Sequence, residues 1–275
     1  MEKHLKTAAP LGMSAVLKAV IAAVRLTAAE EISPRYTRIL QQRHVNGDEG
    51  EDLVAVIEAA LVRKLQAIVN VPVLDAALSP AEQHALWQTG EAWCVNPLDS
   101  VPNFLRGLPH FSVSAALLRE GKIVLGVVYA PAEEEMYVAE VGKGGFRNGQ
   151  RIAARNMATR LDEALAGVDL RRLNTGLIAR LSVQPPYLTQ RNFGAYALDW
   201  CYAATGRYDV YLHGGQQLWE YVAGALIFQE AGGFLSCIDQ DDFEQGNVWQ
   251  RSVIASRDLC LFEDWRTWVR ASLSR

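Results

Sequence analysis

The sequence has few cysteines, no long apolar run and no excess of positive charge, and each absence excludes a class of protein. The longest stretch without Lys, Arg, Asp or Glu spans residues 107–118, whereas a membrane-spanning helix needs about 20 predominantly apolar residues. The net charge of −4 gives no global positive field, so we expect neither nucleic acid nor a membrane as a partner. The N-terminal residues 1–4 and the run after them lack a signal-peptide layout, which favours the cytoplasm.

The cysteines are too few and too far apart for a disulfide framework or a Cys-x-x-Cys metal site. We expect them to be scattered, mostly buried thiols in a reducing compartment. The four are Cys94, Cys201, Cys237 and Cys260.

The chain does have enough apolar sequence for a substantial core. Half of its 275 residues are hydrophobic and 21% are charged, which is typical of globular proteins. A chain of this length buries a core without disulfide or metal staples. We predict one domain, residues 1–275, made of two packed halves with their boundary near residues 150–195.

The spacing of apolar residues predicts helices first, then a series of hairpins, then mixed helix and strand. Helices are predicted at 13–32, 53–67, 196–205 and 219–231, with a further C-terminal helix that holds Trp265 and Trp268. Strands are predicted at 67–74, 93–96, 111–118, 123–129, 135–140, 208–212 and 252–255. Glu120-Gly121 and Asn148-Gly149 supply tight turns. This order indicates layered α and β structure with a large, partly antiparallel sheet.

Three stretches combine element ends with chemically useful residues. WCVNPLDSVPNF, residues 93–104, is an apolar strand ending in a turn, where Asn96 and Asp99 project an amide and a carboxylate from one edge. The N–H groups that follow can point at an anion. GKGGFRNG, residues 142–149, lacks the strand–loop–helix setting of a phosphate loop, so we predict a β-hairpin there. Residues 219–233 place Glu220 at the start of a small-residue helix that ends on a glycine pair.

Together these motifs resemble the inositol monophosphatase family of Mg²⁺-dependent phosphatases. Residues 93–104 are similar to the family's W-[IV]-[IV]-D-P-[IL]-D-G-T-x-N-F, and residues 219–233 to its W-D-x-A-A-G-x-x-[IL]-x-x-E-A-G-G. The resemblance is dense over residues 93–233 and weaker outside. It implies an α/β (α+β) fold, the layered αβαβα sandwich of the inositol monophosphatase and fructose bisphosphatase type, and a homodimer.

The resemblance also implies a site. In this family, carboxylates hold two or three Mg²⁺ ions, which polarise a phosphate ester and activate a water. Carried over by motif, the catalytic and metal positions are Asn96, Asp99 and Glu220, the further metal position is Asp75, and the substrate positions are Ser100, Val101, Gly194, Ala195 and His213.

The chain departs from the family at most metal positions. Asn96 replaces an Asp, Val101 replaces a Thr that orients the attacking water, and Glu220 is one methylene longer than the family's Asp. An upstream Glu pair becomes Asp75-Ala76-Ala77, and an earlier Thr-Glu-x-Asp has only the acidic run 48–52 as a counterpart. Two unit charges about 4 Å apart interact by roughly 4 kcal/mol at an effective dielectric constant of about 20. We therefore expect Mg²⁺ binding to be weak or partly lost.

Each candidate also has an ordinary structural interpretation. Asp99 and Asn96 suit any turn, and Glu220 suits the N-terminus of any helix. His213 is either a surface-loop histidine or an altered pocket residue.

Two functions remain open. One is a phosphatase with an altered metal or substrate preference, acting on inositol phosphate or a similar small polyol phosphate. The other is a descendant with weak or no phosphatase activity that binds a small phosphorylated polyol, another anion or a protein partner. The residues at Asn96, Val101 and Ala76 favour the second. No extra basic cluster near the motifs supports a third option, a nucleotide or sugar bisphosphate as substrate.

Overall fold

The computed structural model describes residues 12–41, 49–153, 158–245 and 247–273, without the side chains of residues 49–51. Two expectations lie outside these residues. The first is the absence of a leader at residues 1–4. The second is the match of the acidic run 48–52 to a family motif, because Asp52 is the only residue of that run with a described side chain.

The first layer of the fold is helical. The helix α1 (Ala15–Thr27) begins at Ser14, whose Oγ accepts a hydrogen bond from the N–H of Leu17 at 3.1 Å. A π-helical turn joins α1 to α2 (Ser33–Gln41), and α3 (Glu49–Gln66) follows. The predicted first helix is therefore confirmed and continues further along the chain.

The second layer is an antiparallel sheet of six strands in sequence order. Its strands are β1 (Glu91–Asp99), β2 (Ser112–Arg119), β3 (Lys122–Ala130), β4 (Glu135–Glu140), β5 (Gly144–Arg147) and β6 (Gln150–Arg151). Side chains alternate between its two faces. Trp93 and Val127 pack in one core cluster with α1 and α3, whereas Cys94 and Val128 pack in another, with α7 (Tyr196–Ala204) and α8 (Leu218–Glu230).

The second sheet is mixed and has five strands, in the order β10-β11-β9-β7-β8. The strands are β7 (Leu165–Asp169), β8 (Thr189–Arg191), β9 (Val210–Gln217), β10 (Phe234–Ser236) and β11 (Gln250–Ser256). Strand β7 runs parallel to both β8 and β9. The face of this sheet that points away from α7 and α8 packs in a third cluster with α6 (Thr175–Val183) and α9 (Leu259–Ala271).

The layers follow one another as helices, sheet, helices, sheet, helices. The pair α7 and α8 lies between the two sheets, because its residues share one cluster with side chains from both. This confirms the predicted αβαβα sandwich. The division of residues 1–275 into two halves near 150–195 stays a prediction, although the first sheet ends at Arg151, at the start of that range, and three strands of the second lie after it.

Local predictions had mixed outcomes. The turn at Asn148-Gly149 is confirmed, with φ of 48° and 80° at its two residues, as type I′ hairpins require. Residues 142–149 form a hairpin, as predicted, and the N–H groups of Gly142 and Gly144 donate to the carboxylate of Glu230 at 2.8 and 2.7 Å. The strand expected at 67–74 is wrong: only Val73 forms an isolated bridge, since Pro72 has no N–H for a ladder.

Short elements escaped the sequence analysis. They are α2, α4 (Pro80–Thr89), α5 (Val101–Leu105), α6, β7, β8 and β10. All four cysteines are free thiols, and three of them are buried, which agrees with the sequence. Among the described residues, no helix has the length and apolar character needed to cross a membrane.

The close crossing of α7 and α8 depends on Gly224. A Cβ at this position would lie 2.5 Å from Trp200 Cβ and 2.9 Å from the carbonyl oxygen of Ala197. We expect Gly224→Ala to lower the free energy of unfolding by about 1–3 kcal/mol, the usual cost of overpacking, as measured by urea denaturation. Gly215→Ala is the control, because the nearest atoms to its Cβ would belong to the side chain of Gln250, at 3.2 Å and beyond, which can move aside. Equal stability of Gly224→Ala and wild type would contradict the close packing.

Candidate functional site

A cleft of about 470 Å³ opens where β1, α5, α7 and α8 converge with the loop after β7. Six of the nine residues implicated by the sequence line it: Asn96, Asp99, Ser100, Val101, Gly194 and Glu220. The other three, Asp75, Ala195 and His213, are not among the lining residues. The fold thus brings together residues that are distant in the sequence.

Asp99 is the central acid of the cleft. The pairing of β1 with β2 is irregular between Asn96 and Asp99, where Pro97 interrupts the donors of the strand. Asp99 is buried, and its Oδ2 accepts the N–H of Ala197, at the start of α7, at 2.8 Å. Burial raises the pKa of Asp99 to about 7, and the charge of Glu220 acts in the same direction, while hydrogen bonds from Ala197 and Asn96 oppose both.

Glu220 has a structural task at the start of α8. Its Oε2 accepts the N–H of Gln217 at 2.6 Å, and the Gln217 side chain caps the helix in return, which is a capping box. Burial raises the pKa of Glu220, and the hydrogen bond from Gln217 and the charge of Arg172 oppose it. The N-terminal helix interpretation is confirmed, and Glu220 also lines the cleft.

Two arginines that the sequence analysis missed also line the cleft. Arg171 Nη2 donates to Asp169 Oδ2 at 2.7 Å and also to the hydroxyl of Tyr196. Arg172 Nη1 donates to the carbonyl of Gly215 at 2.5 Å and lies 3.5 Å from Glu220 Oε2. Their signal in the sequence was an adjacent basic pair at the carboxyl end of a parallel strand, where sites of α/β sheets lie. The basic pair is recognisable as a site feature only once β7 is located, and β7 is too short to be predicted from its sequence pattern.

Asp169 is a buried carboxylate held by its neighbour. Burial acts to raise the pKa of Asp169, but hydrogen bonds from the side chain and N–H of Arg171 outweigh it and hold the pKa below its ordinary value. The anchored guanidinium remains about two-thirds exposed. Asp169 therefore fixes Arg171 at the mouth of the cleft.

His213 lies inside the second sheet. It is a fully buried residue of β9, so the surface-loop interpretation is wrong. Its Nδ1 accepts the N–H of Gly215 at 3.0 Å, and its Nε2 lies 3.9 Å from Asp169 Oδ2. The ring meets that of Tyr196 edge-on. Its predicted contact with substrate stays a prediction, since His213 stands behind Asp169 and Tyr196 rather than at the cleft surface.

Two further candidates have structural surroundings of their own. Asp75 Oδ1 accepts the N–H of Ala77 at 2.8 Å, and the charge of Asp75 helps to raise the pKa of buried Cys94, after burial itself. Ala195 is buried next to cleft-lining Gly194. The ligand role of Asp75 and the substrate role of Ala195 stay predictions.

The acids at the implied metal positions do not form a set that fits several divalent cations together. Among the described residues, no group of three or more His, Cys, Asp or Glu side chains is placed to hold a metal. Asp99 and Glu220 each have one oxygen bonded to a backbone N–H. A Mg²⁺ ion at about 2.1 Å from Glu220 Oε2 would lie within about 6 Å of Arg172 Nη1, which is 3.5 Å from that oxygen. Their repulsion, about 6 kcal/mol at an effective dielectric constant of about 20, opposes the attraction between the ion and the Glu220 carboxylate and so weakens binding.

Comparison with known proteins gives a consistent result. The model of the inositol monophosphatase family matches residues 13–268. The inositol-1-monophosphatase of Mesorhizobium japonicum is 38% identical over 174 residues, which are 61% of this chain and 65% of that protein. The chain thus spans less than two thirds of the length of this relative. The Nus factor SuhB of Pseudomonas aeruginosa is 31% identical over 82% of this chain and 86% of its own length.

A solved structure is similar over almost the whole chain. The extragenic suppressor protein SuhB of Bartonella henselae superposes with a TM-score of 0.73 at 27% sequence identity. The superposition covers 96% of this chain and 100% of that protein.

The buried imidazole of His213 predicts a pH dependence of stability. Burial lowers the pKa of His213 to about 4. The negative charge of Asp169 acts to raise this pKa, and the positive charges of Arg172 and Arg171 act to lower it further. Between about pH 6.5, the ordinary value for histidine, and pH 4, the unfolded chain binds a proton that the native state does not. Stability is therefore lost as the pH falls through this window.

We expect His213→Asn to remove this contribution, on the order of 3 kcal/mol at most, because an Asn oxygen can still accept the N–H of Gly215. Urea denaturation of wild type and variant from pH 7 to pH 4 measures it. His84→Asn, at an exposed position of α4, is the control. An unchanged pH slope in His213→Asn would contradict a neutral buried imidazole.

Proposed function

The chain belongs to the inositol monophosphatase family, and we propose that it binds a small phosphorylated polyol or a related anion in the cleft, with weak or no phosphatase activity. The ancestral reaction of the family is Mg²⁺-dependent hydrolysis of a phosphate monoester of inositol or a similar polyol. The observation that carries the proposal is the charge of the lining: Arg171 and Arg172 accompany the two acids, Asp99 and Glu220.

The residues have distinct roles in this proposal. Asp99, Asn96 and Glu220 are the remains of the metal and catalytic set, and Mg²⁺ binds there weakly or not at all. Ser100 and Val101 contact the anion and Gly194 faces the polyol, since all three belong to the lining. Composition and the family resemblance support a cytoplasmic homodimer without a nucleic-acid or membrane partner.

An active phosphatase with an altered metal or substrate is the alternative. It is supported by the two retained acids and by the similarity to relatives named inositol-1-monophosphatase. Other relatives carry the name Nus factor SuhB rather than the name of a phosphatase. Membership of the family does not by itself specify catalysis.

Phosphatase assays distinguish the proposal from the alternative. We expect purified wild-type protein to hydrolyse myo-inositol 1-phosphate and p-nitrophenyl phosphate no more than about tenfold faster than Asp99→Asn across a series of Mg²⁺ and Mn²⁺ concentrations. Phosphate release measures the rate. Turnover that rises with metal and disappears in Asp99→Asn would contradict the weak-activity proposal and favour the alternative. Equal turnover in both proteins indicates a contaminating phosphatase.

Restoring two family residues tests the depletion of the metal site. We expect Asn96→Asp with Val101→Thr to bind Mg²⁺ at least about tenfold more tightly than wild type, because a carboxylate and a hydroxyl oxygen are added to the cleft. Isothermal titration calorimetry measures the affinity. Asn70→Asp is the control for the added charge, since Asn70 is exposed and lies outside the lining residues. An equal gain in the control would mean that the site itself is not responsible.

A further inference from the structure

Arg171 and Arg172 enter the cleft with hydrogen-bond donors left over. Each guanidinium has five N–H groups. Arg171 uses Nε and Nη2 on Asp169 and Tyr196, and Arg172 uses Nη1 on the carbonyl of Gly215. Within the described part of the chain, no residue accepts a hydrogen bond from Arg171 Nη1 or from Arg172 Nε and Nη2. These groups remain available to a ligand in the cleft.

Both side chains are anchored before any ligand arrives. The carboxylate of Asp169, which is 3% exposed, accepts hydrogen bonds from both the guanidinium and the backbone N–H of Arg171. Arg172 has a left-handed backbone, with φ of 64°, and its carbonyl packs so tightly on Gly214 that a Cβ there would lie 2.2 Å from it. An anchored guanidinium loses little conformational freedom when it binds, and its planar fork matches the oxygens of a phosphate.

The rest of the lining combines both signs of charge with an aromatic side chain. The charged lining residues are Asp99, Glu220, Arg171 and Arg172, and the buried Asp169 is paired with Arg171 beside them. Trp219 also lines the cleft, and an aromatic ring is a suitable neighbour for the C–H groups of a polyol.

We propose that Arg171 and Arg172 hold the phosphate group of the ligand in place of divalent cations, so that binding requires no metal. This inference rests on the proposed function, because it takes the cleft as the ligand site. The guanidiniums supply the positive charge that the ions supply elsewhere in the family, and the phosphate accepts hydrogen bonds from Arg171 Nη1 and from Arg172 Nε and Nη2.

Calorimetric titration of full-length protein in excess EDTA tests this inference. The probes are myo-inositol 1-phosphate, inorganic phosphate and myo-inositol. We expect the two phosphates to bind and myo-inositol not to bind, and replacement of EDTA by Mg²⁺ to change the Kd by less than about threefold. Tighter binding of inorganic phosphate than of myo-inositol 1-phosphate would identify a phosphate site without a polyol subsite. This result would still support phosphate binding by the two arginines.

Substitution of Arg172 gives the second arm. We expect Arg172→Gln to weaken the binding of myo-inositol 1-phosphate in EDTA at least about tenfold, since a charge-assisted hydrogen bond is lost. Arg172→Lys keeps the charge but not the fork, and we expect an intermediate Kd. Arg160→Gln is the control, because Arg160 is an exposed residue paired with Asp162 and does not line the cleft. Arg171 is left intact, since its loss would strand the buried Asp169.

The outcomes separate this inference from the proposed function. Binding that appears only with Mg²⁺ and is unchanged in Arg172→Gln would overturn the role of the arginines and leave ligand binding in the cleft standing. No binding of either phosphate, with or without Mg²⁺, would overturn both. Thermal unfolding shows whether Arg172→Gln is folded. If it is not, the comparison of EDTA with Mg²⁺ on wild-type protein and the Kd of Arg172→Lys still test whether the arginines bind phosphate without a metal.

Discussion

Compensation of buried carboxylates is the constraint on which the site depends. A carboxylate removed from water needs hydrogen bonds or an opposite charge, and here the protein supplies both. Asp169 is paired with Arg171, Glu220 accepts the N–H of Gln217 near Arg172, and Asp99 accepts the N–H of Ala197. In a site built around divalent cations, the metal performs this task. Guanidiniums and backbone donors perform part of it here: they outweigh burial at Asp169, whereas burial still raises the pKa of Asp99 and of Glu220.

The same acids hold the scaffold together. Asp99 connects the end of the first sheet to the start of α7, and Glu220 closes the first turn of α8. These helices form the layer between the two sheets, where Gly224 allows them to approach closely. Retention of an acid at a catalytic position is therefore weak evidence for catalysis, because its removal would cost stability whether or not a reaction takes place. The substituted position, Asn96, carries more information than the retained ones.

Much of the architecture was predictable from local patterns. Strands β2 to β4 are short, mainly apolar runs separated by turns, and the structure places them within a residue or two of the prediction. The failures have local causes as well. Pro72 interrupts the run at 67–74, and short elements such as β7 and β8 hold too few residues for a period to emerge. The resemblance to a family supplied the arrangement of layers, which periodicity alone does not encode.

By itself, the sequence determined that the polar residues of the two main motifs lie at the end of a strand and at the start of a helix. The resemblance to the family implied that these motifs meet in one cleft, and that Asn96 and Val101 stand where the family has an acid and a hydroxyl. Only the tertiary structure decided that Arg171 and Arg172 face those motifs and that His213 is buried behind Asp169. These contacts join strands and helices far apart in the chain. They depend on the packing of the second sheet against α7 and α8, which no local spacing records.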